Sequence, residues 1–181
     1  DFMETCVQCR GCEPVCPSSV PFGSLIESTK ASLAEQRTIT PRWQRLGFAV
    51  LGRHRTLLAG STLLAVAQRL RLVPRRLGLP TLPIRRGAAV RATAAGQGDT
   101  PVWFYTGCVM DAWQRATHRA TVAVIEAVGG AVRPAPPTAA CCGALHVHAG
   151  LHSDAAELAA ATIAAMPGDD PILVNSAGCG A

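Results

Sequence analysis

Residues 102–108 read Val-Trp-Phe-Tyr-Thr-Gly-Cys, a short run of β-prone side chains that stops at a glycine and a cysteine. Apolar runs of this length, bounded by turn residues, are typical of buried strands. Two further short runs follow at Ala131–Arg133 and Pro171–Asn175, and segments with helical apolar spacing separate the three. Alternation of strands and helices predicts an α/β domain with a mostly parallel sheet.

The segments between the predicted strands carry helix signals. The first has an apolar face made by Trp113, Ala116, Ala120, Val124 and Val128, opposite a polar face made by Gln114, Arg115, His118 and Arg119. Gly129-Gly130 ends this helix, because glycine favours the left-handed turn that closes a helix. A second helix is predicted to begin at Asp154, with Glu157 three residues later, and to end at Pro167-Gly168.

Cysteines follow each predicted strand, at positions 108, 141, 142 and 179. The carboxyl ends of parallel strands share one edge of a sheet, so we expect Cys108, Cys141, Cys142 and Cys179 to meet there. Adjacent cysteines in a loop suit ligation of a cluster or metal. Burial as small hydrophobic residues or a strained disulfide is the alternative. Nearby His146, His148 and His152 either ligate or tune such a site or are structural or solvated histidines.

Composition restricts the class of protein. The 181 residues are 49% hydrophobic and 16% charged, which excludes a disordered tail, a collagen-like fibre and a coiled coil. The longest apolar stretch, Leu57–Ala67, has about half of the ~20 residues that cross a bilayer and is flanked by arginines, so it predicts a buried or amphipathic helix. The sequence at Asp1 has no charged-then-apolar leader, which predicts no export signal.

A second set of cysteines, Cys6, Cys9, Cys12 and Cys16, lies near the start. The run fits C-x2-C-x2-C-x3-C-P, which is typical of a bacterial-type [4Fe-4S] ferredoxin site. A structural zinc site is the alternative, although zinc usually takes two separated pairs. In two-cluster domains the fourth cysteine serves the neighbouring cluster. We therefore expect a sister run upstream of Asp1, unless Cys16 folds back to complete a single cluster.

The region between the two cysteine sets is basic. From Lys30 to Arg91 there are thirteen Lys and Arg residues and one acid, Glu35. Helical spacing extends from Trp43 to Leu72, and Pro74–Gly98 reads as a linker or an extended wrapping arm. The segment is solvated, or contacts an acidic partner subunit, or contacts an anionic membrane surface; no motif favours nucleic acid. We divide the chain into a 4Fe-4S segment (1–29), a basic helical segment with linker (30–99) and a cysteine-rich α/β domain (100–181).

Three strings carry a resemblance to a known family: Phe-Tyr-Thr-Gly-Cys at 104–108, Cys-Cys-Gly-Ala-Leu-His at 141–146 and Asn-Ser-Ala-Gly-Cys-Gly-Ala at 175–181. They resemble the Cys-Cys-Gly domain of glycolate oxidase (glycolate dehydrogenase) iron-sulfur subunits, lactate-utilisation iron-sulfur proteins and the heterodisulfide reductase B subunit. The order of ferredoxin run, basic helical segment and this domain most closely resembles the glycolate oxidase subunit. In that family a paired ferredoxin run lies upstream and a second Cys-Cys-Gly repeat usually lies downstream.

This resemblance implies an iron-sulfur subunit of a flavin-dependent glycolate or D-lactate dehydrogenase. It would carry [4Fe-4S] clusters, take electrons from an FAD-containing oxidase subunit, with a further flavoprotein-like subunit as a second partner, and pass them to a quinone-type acceptor. We expect a cytoplasmic protein, in one interpretation peripheral at the inner face of the membrane. The alternative is a heterodisulfide-reductase-like subunit that performs thiol or disulfide chemistry at a cluster held by the Cys-Cys-Gly domain. No G-x-G-x-x-G, P-loop or Ser/His/Asp order places substrate chemistry on this chain.

Overall fold

A computed structural model describes residues 2–6, 8–36, 40–93 and 101–180. The first half is helical, with α1 (Phe2–Thr5), α2 (Phe22–Gln36), α3 (Arg42–Gly52), α4 (His54–Arg69) and a short 3-10 helix (Arg75–Leu77). The second half contains β1 (Pro101–Tyr105), α5 (Cys108–Trp113), α6 (Arg115–Ala127), β2 (Ala131–Pro134), α7 (Ala144–His148), α8 (His152–Ala165), β3 (Ile172–Val174) and α9 (Ala177–Gly180). The predicted α/β class is confirmed.

The three strands form one parallel sheet in the order β2-β1-β3. Phe104 of the central strand is fully buried and packs with Val122 and Val132 on one face. Trp103 and Tyr105 point to the other face, as the strand's alternation requires. Burial of a side chain such as Phe104 contributes roughly 1.5–3 kcal/mol. The sheet therefore fixes the strand ends from which the cysteine loops depart.

The predicted faces of the helix after β1 are wrong. His118, assigned to the polar face, is fully buried, whereas Val124 and Val128, assigned to the apolar face, are 65% and 80% exposed. His118 is accepted in the core because its Nδ1 lies 3.0 Å from the side-chain amide of Asn175, at the end of β3, and its ring packs edge-on to Phe104. A partner that is distant in sequence thus overrides the helical pattern.

A short helix that the sequence did not predict precedes this one. The short helix, α5, begins at Cys108, and the chain leaves helical geometry at Gln114 (φ −128°, ψ 36°) before α6 begins. The break sets the direction of α6 independently of α5, and it places Cys108 on the first residue of a helix that follows β1 directly.

The basic helices pack on the α/β domain through polar contacts. Trp113 donates its indole N–H to the Ser61 hydroxyl at 3.1 Å. The Asp111 carboxylate is 2.8 Å from both His54 Nε2 and an Arg115 guanidinium nitrogen, and its side chain is 7% exposed. Although burial opposes ionisation, the hydrogen bonds from His54 and Arg115 hold the pKa of Asp111 below its usual range. α4 is therefore anchored to α5 by a buried charge cluster.

The proline-rich stretch after α4 wraps the domain over its described part, residues 74–93. Leu82 is buried, and its amide donates to the side-chain carbonyl of Gln68 on α4. The Thr93 amide donates to the Val132 carbonyl, and the Val132 amide donates to the Thr93 hydroxyl. Of the predicted Pro74–Gly98 segment, residues 94–98 lie outside the described residues.

α2 runs without interruption across residues 29 and 30, the first boundary of the three-part division made from the sequence. The division itself stays a proposal. Among the described residues, no helix combines the length and the apolar character that a bilayer crossing requires.

Candidate functional site

The four cysteines of the second set come together at the carboxyl edge of the sheet. Cys108 follows β1, Cys141 and Cys142 lie in the loop after β2, and Cys179 lies in α9 after β3. All four line one cavity of about 160 Å³. The expectation that the strand ends bring these residues to one edge therefore agrees with the structure, whereas metal or cluster binding by them stays a prediction.

Glycines shape two of the loops that carry these cysteines. Gly107 has φ +66°, and a Cβ built on it would lie 3.7 Å from the Cys179 sulfur. Gly143 has φ +83°, and a Cβ there would lie 2.7 Å from the Ala155 carbonyl oxygen of α8. Glycine is needed at Gly143 both for the left-handed backbone and for the close approach of the two chains. Thr162, also on α8, donates its hydroxyl to the Cys141 carbonyl at 3.0 Å.

The four thiols interact as two pairs. A hydrogen bond from Cys141 lowers the pKa of the Cys108 thiol to about 7, and one from Cys179 lowers that of Cys142 to about 6. The pKa values of Cys141 and Cys179 are raised, because each thiol donates to its partner and because both are buried. One sulfur of each pair is thus favoured as a thiolate near neutral pH, and the thiolate is the form that binds metal and attacks electrophiles.

Tyr105, the last residue of β1, lies beside the four thiols. Tyr105 is 3% exposed, and its hydroxyl is close enough to the Cys142 thiol to help lower the pKa of that group through a hydrogen bond. Burial raises its pKa, and the negative charge of the neighbouring cysteines, Cys142 foremost, raises it further. The phenol therefore stays protonated and provides a donor at the cysteine cavity. A buried donor of this kind fits an acceptor such as a sulfur atom in the cavity.

The donor set fits an iron-sulfur cluster in its chemistry. Thiolates are the usual ligands of such clusters, and here four thiols from three strand ends face one cavity. Within the described part of the chain, no three Cys, His, Asp or Glu side chains already surround a single metal position. Binding of a metal or cluster would require loss of the thiol protons that Cys141 and Cys179 donate to Cys108 and Cys142.

The first cysteine set lies in a loop of successive turns. The Glu13, Cys16 and Ser19 amides donate in sequence to the carbonyls of Arg10, Glu13 and Cys16. Gln8 and Arg10 flank Cys9 with φ of +55° and +54°, values that curl the chain. Cys9 and Cys12 are exposed, whereas Cys6 and Cys16 are half-buried. Hydrogen bonds from the backbone amides of Val20 and Ser18 lower the pKa of Cys16.

The two cysteine sets face each other across a second cavity of about 420 Å³. Cys9 and Arg10 line it from the first set, and Cys142, Cys179 and His148 line it from the second. The loop of the first set is held there by Gln8, whose side-chain amide donates to the His148 carbonyl at 3.4 Å. The sequence predicts each set separately, and the fold places them side by side.

The three candidate histidines differ in position. His148 lines both cavities, and burial lowers the pKa of its ring, which favours the neutral imidazole. His146 is buried against Phe48 of α3, with ring centroids 5.4 Å apart, and lines neither cavity. His152 is exposed at the start of α8. Of the three, His148 is the one placed to act on the cysteine sites.

Sequence reasoning missed Lys30 and Gln8, which connect the first cysteine loop to α7. The available signal for Lys30 was composition, because it is the only lysine among the 17 basic residues. For Gln8 no signal was present, since a glutamine between two cysteines reads as a loop residue.

Comparisons with known proteins show what the chain is similar to. Residues 102–181 match the family described as cysteine-rich domain (CCG). A probable glycolate oxidase iron-sulfur subunit of Bacillus subtilis is 31% identical over 205 residues, covering 99% of this chain and 46% of the relative. The glycolate oxidase iron-sulfur subunit of Escherichia coli is 27% identical over 193 residues, covering 100% of this chain and 45% of the relative.

The chain thus spans about half the length of the curated relatives it matches. No solved structure matches it significantly. Residues 102–181 are thus similar to the cysteine-rich domain family, and the resemblance of the chain to glycolate oxidase iron-sulfur subunits is confirmed over nearly its whole length.

Proposed function

We propose that this chain is the electron-carrying part of an iron-sulfur subunit of a flavin-dependent 2-hydroxy-acid dehydrogenase. A flavoprotein partner would oxidise glycolate or D-lactate, and this chain would pass the electrons towards a quinone-type acceptor. Relatives that are named glycolate oxidase iron-sulfur subunits support the proposal. A bound iron-sulfur cluster supplies one-electron acceptance and release.

The observation that carries the proposal is the cavity shared by the two cysteine sets. Cys9 belongs to the ferredoxin-type run, and Cys142 and Cys179 belong to the cysteine-rich domain, yet all three line the same cavity. Groups bound at the two sets would therefore be neighbours, as stepwise electron transfer requires. A structural zinc module has no need for this proximity.

The residues of the chain have separable roles in this proposal. Cys6, Cys9 and Cys12 would hold one [4Fe-4S] cluster, and Cys16 would complete a neighbouring one. Cys108, Cys141, Cys142 and Cys179 would hold a second group, with the protonated Tyr105 hydroxyl as a hydrogen-bond donor to it. Hydrogen bonds to ligand sulfurs raise reduction potentials, so Tyr105 would favour electron acceptance at this site.

The test uses the complete protein with its flavoprotein partner under anaerobic conditions. Glycolate or D-lactate should bleach the visible iron-sulfur absorption, and the electrons should reach a quinone analogue. C142S and C9S should each block quinone reduction while flavin reduction by substrate persists, because substrate chemistry is on the partner. Control variant S28A alters an exposed hydroxyl that bonds only to its own helix and should behave as wild type. Normal quinone reduction in both cysteine variants would overturn the proposal.

One observation favours the alternative function, a subunit that performs thiol or disulfide chemistry at a bound cluster. Cys142 has a thiol pKa lowered to about 6 by the Cys179 hydrogen bond and lines both cavities. This function predicts that an added substrate thiol or disulfide changes the spectrum of the group bound at the second set. An unchanged spectrum, together with bleaching by glycolate, would favour electron transfer.

We also propose that α3 and α4 contact an anionic membrane surface. Trp43, Leu46 and Leu63 are 72%, 69% and 72% exposed, and exposed arginines accompany them at positions 42, 45, 53, 55 and 69. Apolar side chains beside arginines are typical of helices that lie in the bilayer interface. Cosedimentation with anionic vesicles, lost in neutral vesicles and in W43S/L46S, would support the contact. Equal binding to both vesicles, or none, would refute it.

A further inference from the structure

Lys30 is the only lysine in a chain whose other sixteen basic residues are arginine. It lies in α2, and only 7% of its surface is exposed, in contrast to the exposed arginines of α3 and α4. Charged residues are rarely buried to this extent unless polar groups surround the charge. The buried ammonium of Lys30 therefore requires hydrogen-bond acceptors around it.

The ammonium of Lys30 joins the two cysteine sites. Its Nζ donates to the Cys6 carbonyl at 3.2 Å and to the His148 carbonyl at 3.1 Å. Cys6 begins the ferredoxin-type run, and His148 ends α7, the helix that starts directly after Cys142-Gly143. Two segments far apart in sequence thus share one buried cation.

A lysine suits this position better than an arginine. The ammonium is a compact charge with three rotatable donors, whereas a guanidinium is a broad planar group suited to paired carboxylate or phosphate oxygens. The nearby arginine, Arg10, forms an ion pair with a carboxylate, since one of its guanidinium nitrogens lies 2.8 Å from a carboxylate oxygen of Glu27, one turn before Lys30 on α2. Lys30 instead bonds single carbonyl oxygens from two directions.

We infer that Lys30 is a positioning residue that holds the first cysteine loop against α7 and that its buried charge raises the reduction potential of a cluster bound by Cys6, Cys9 and Cys12. This inference rests on the proposed function for the presence of that cluster. Accepting an electron adds negative charge, and a cation in a poorly solvated position stabilises the reduced form. The contact with Cys6 places the charge beside the loop that carries all three ligands.

The first experiment measures how well the Lys30 amine is protected in the wild-type complete protein. An amine-reactive reagent is applied to the cluster-loaded protein and to denatured protein, and acylation of Lys30 is followed by mass spectrometry of its peptide. Labelling should be slower in the loaded protein by about tenfold or more, because the amine is buried and hydrogen-bonded. Equal labelling rates would overturn the positioning role. No variant is needed, so a folding defect cannot obscure the answer.

The second experiment measures potentials in mediated redox titrations followed by EPR. K30M should shift the midpoint of the first-set cluster to a more negative value, and K30R should remain closer to wild type because it keeps the charge. R69M is the control, since it removes an exposed charge on α4 that solvent screens. An unchanged midpoint in K30M would overturn the electrostatic part.

These tests separate the inference from the proposed function. The titration uses chemical reductant, so it does not depend on the flavoprotein or its substrate. If the protein binds zinc and no iron, the proposed function fails and the charge effect fails with it, while the labelling experiment still decides whether Lys30 holds the loop.

Discussion

The thiol of Cys179 donates a hydrogen bond to the sulfur of Cys142, so the loop after β2 and the helix after β3 meet at their cysteines. Both residues also pack against the buried cluster that includes Trp103 and Tyr105 on one face of the sheet. The pair therefore lies where the hydrophobic core ends and the cavity shared with the first cysteine set begins. Substitutions on this face of the sheet or in either loop should therefore alter the geometry of the second cysteine site.

Reconstitution should distinguish the members of the first cysteine set. Under anaerobic conditions with iron and sulfide, the complete protein should show the broad brown absorption of [4Fe-4S]. C9A should remove one cluster and C16A should damage a different one, because the fourth cysteine of such a run serves the neighbouring cluster. Iron and sulfide analysis with EPR of each variant provides the measurement. Loss of the same single cluster in both variants would indicate that Cys16 folds back, and stoichiometric zinc without sulfide would exclude the cluster.

The loop of the first cysteine set should depend on its metal. Residues 8–20 contain no helix or strand, and Val15 and Val20 are 77% and 41% exposed, so little apolar burial offsets the entropy of ordering. Protease should therefore cut before Val20 faster in metal-free than in loaded protein. Limited proteolysis with mass spectrometry follows the site of cleavage. Equal protection of the two forms would mean that packing against α7 is sufficient.

Gly143→Ala should disrupt the second cysteine site. The new Cβ would lie 2.7 Å from the Ala155 carbonyl oxygen at a residue with φ +83°, so α7 and α8 must separate. We expect a loss of unfolding free energy on the order of 3 kcal/mol and reduced iron retention. Gly168→Ala is the matched control, because φ is +96° there but the added Cβ meets open space. It should cost about 1 kcal/mol. Equal losses in denaturant unfolding would show that the contact with α8 is unimportant.

The Asp111 cluster should make stability dependent on pH. His54 and Arg115 hold the folded-state pKa of Asp111 below its usual value despite burial, so the unfolded chain binds this proton more readily. The stabilisation is present above the ordinary carboxyl pKa and is lost as pH falls from about 5 towards the folded value. D111N should cost on the order of 3 kcal/mol at pH 7, because the Arg115 guanidinium loses its buried anionic partner and the hydrogen bond with His54 is weakened.

Urea unfolding at pH 7 and at pH 4 provides the measurement for this cluster. The difference between wild type and D111N should shrink at the lower pH, since the Asp111 carboxyl of the unfolded wild-type chain is then partly protonated while the folded one is still largely ionised. D170N is the control, because Asp170 pairs with Arg133 at 3.1 Å on the surface, where 39% of the Asp170 side chain is exposed. A constant difference between wild type and D111N would mean that Asp111 acts through packing and not through its charge.

The sequence by itself determined the α/β class, the three strand positions and the location of cysteines after each strand. These features are local: β-prone runs, helical spacing and turn glycines act within about a dozen residues, so they can be recognised without a fold. The four-cysteine ferredoxin spacing is local in the same sense. Parallel strands then imply that their carboxyl ends share an edge, which is why the grouping of Cys108, Cys141, Cys142 and Cys179 was predictable.

The tertiary structure alone decided which face of α6 is buried, because His118 finds its partner Asn175 on another element. It also placed Cys9 on the same cavity as Cys142 and gave the single lysine its two carbonyl partners. Each of these contacts joins residues far apart in the chain, and its free energy exists only after packing has brought them together. Local sequence patterns cannot predict such long-range contacts. In this protein, the contacts of Cys9 and Lys30 connect the two candidate sites.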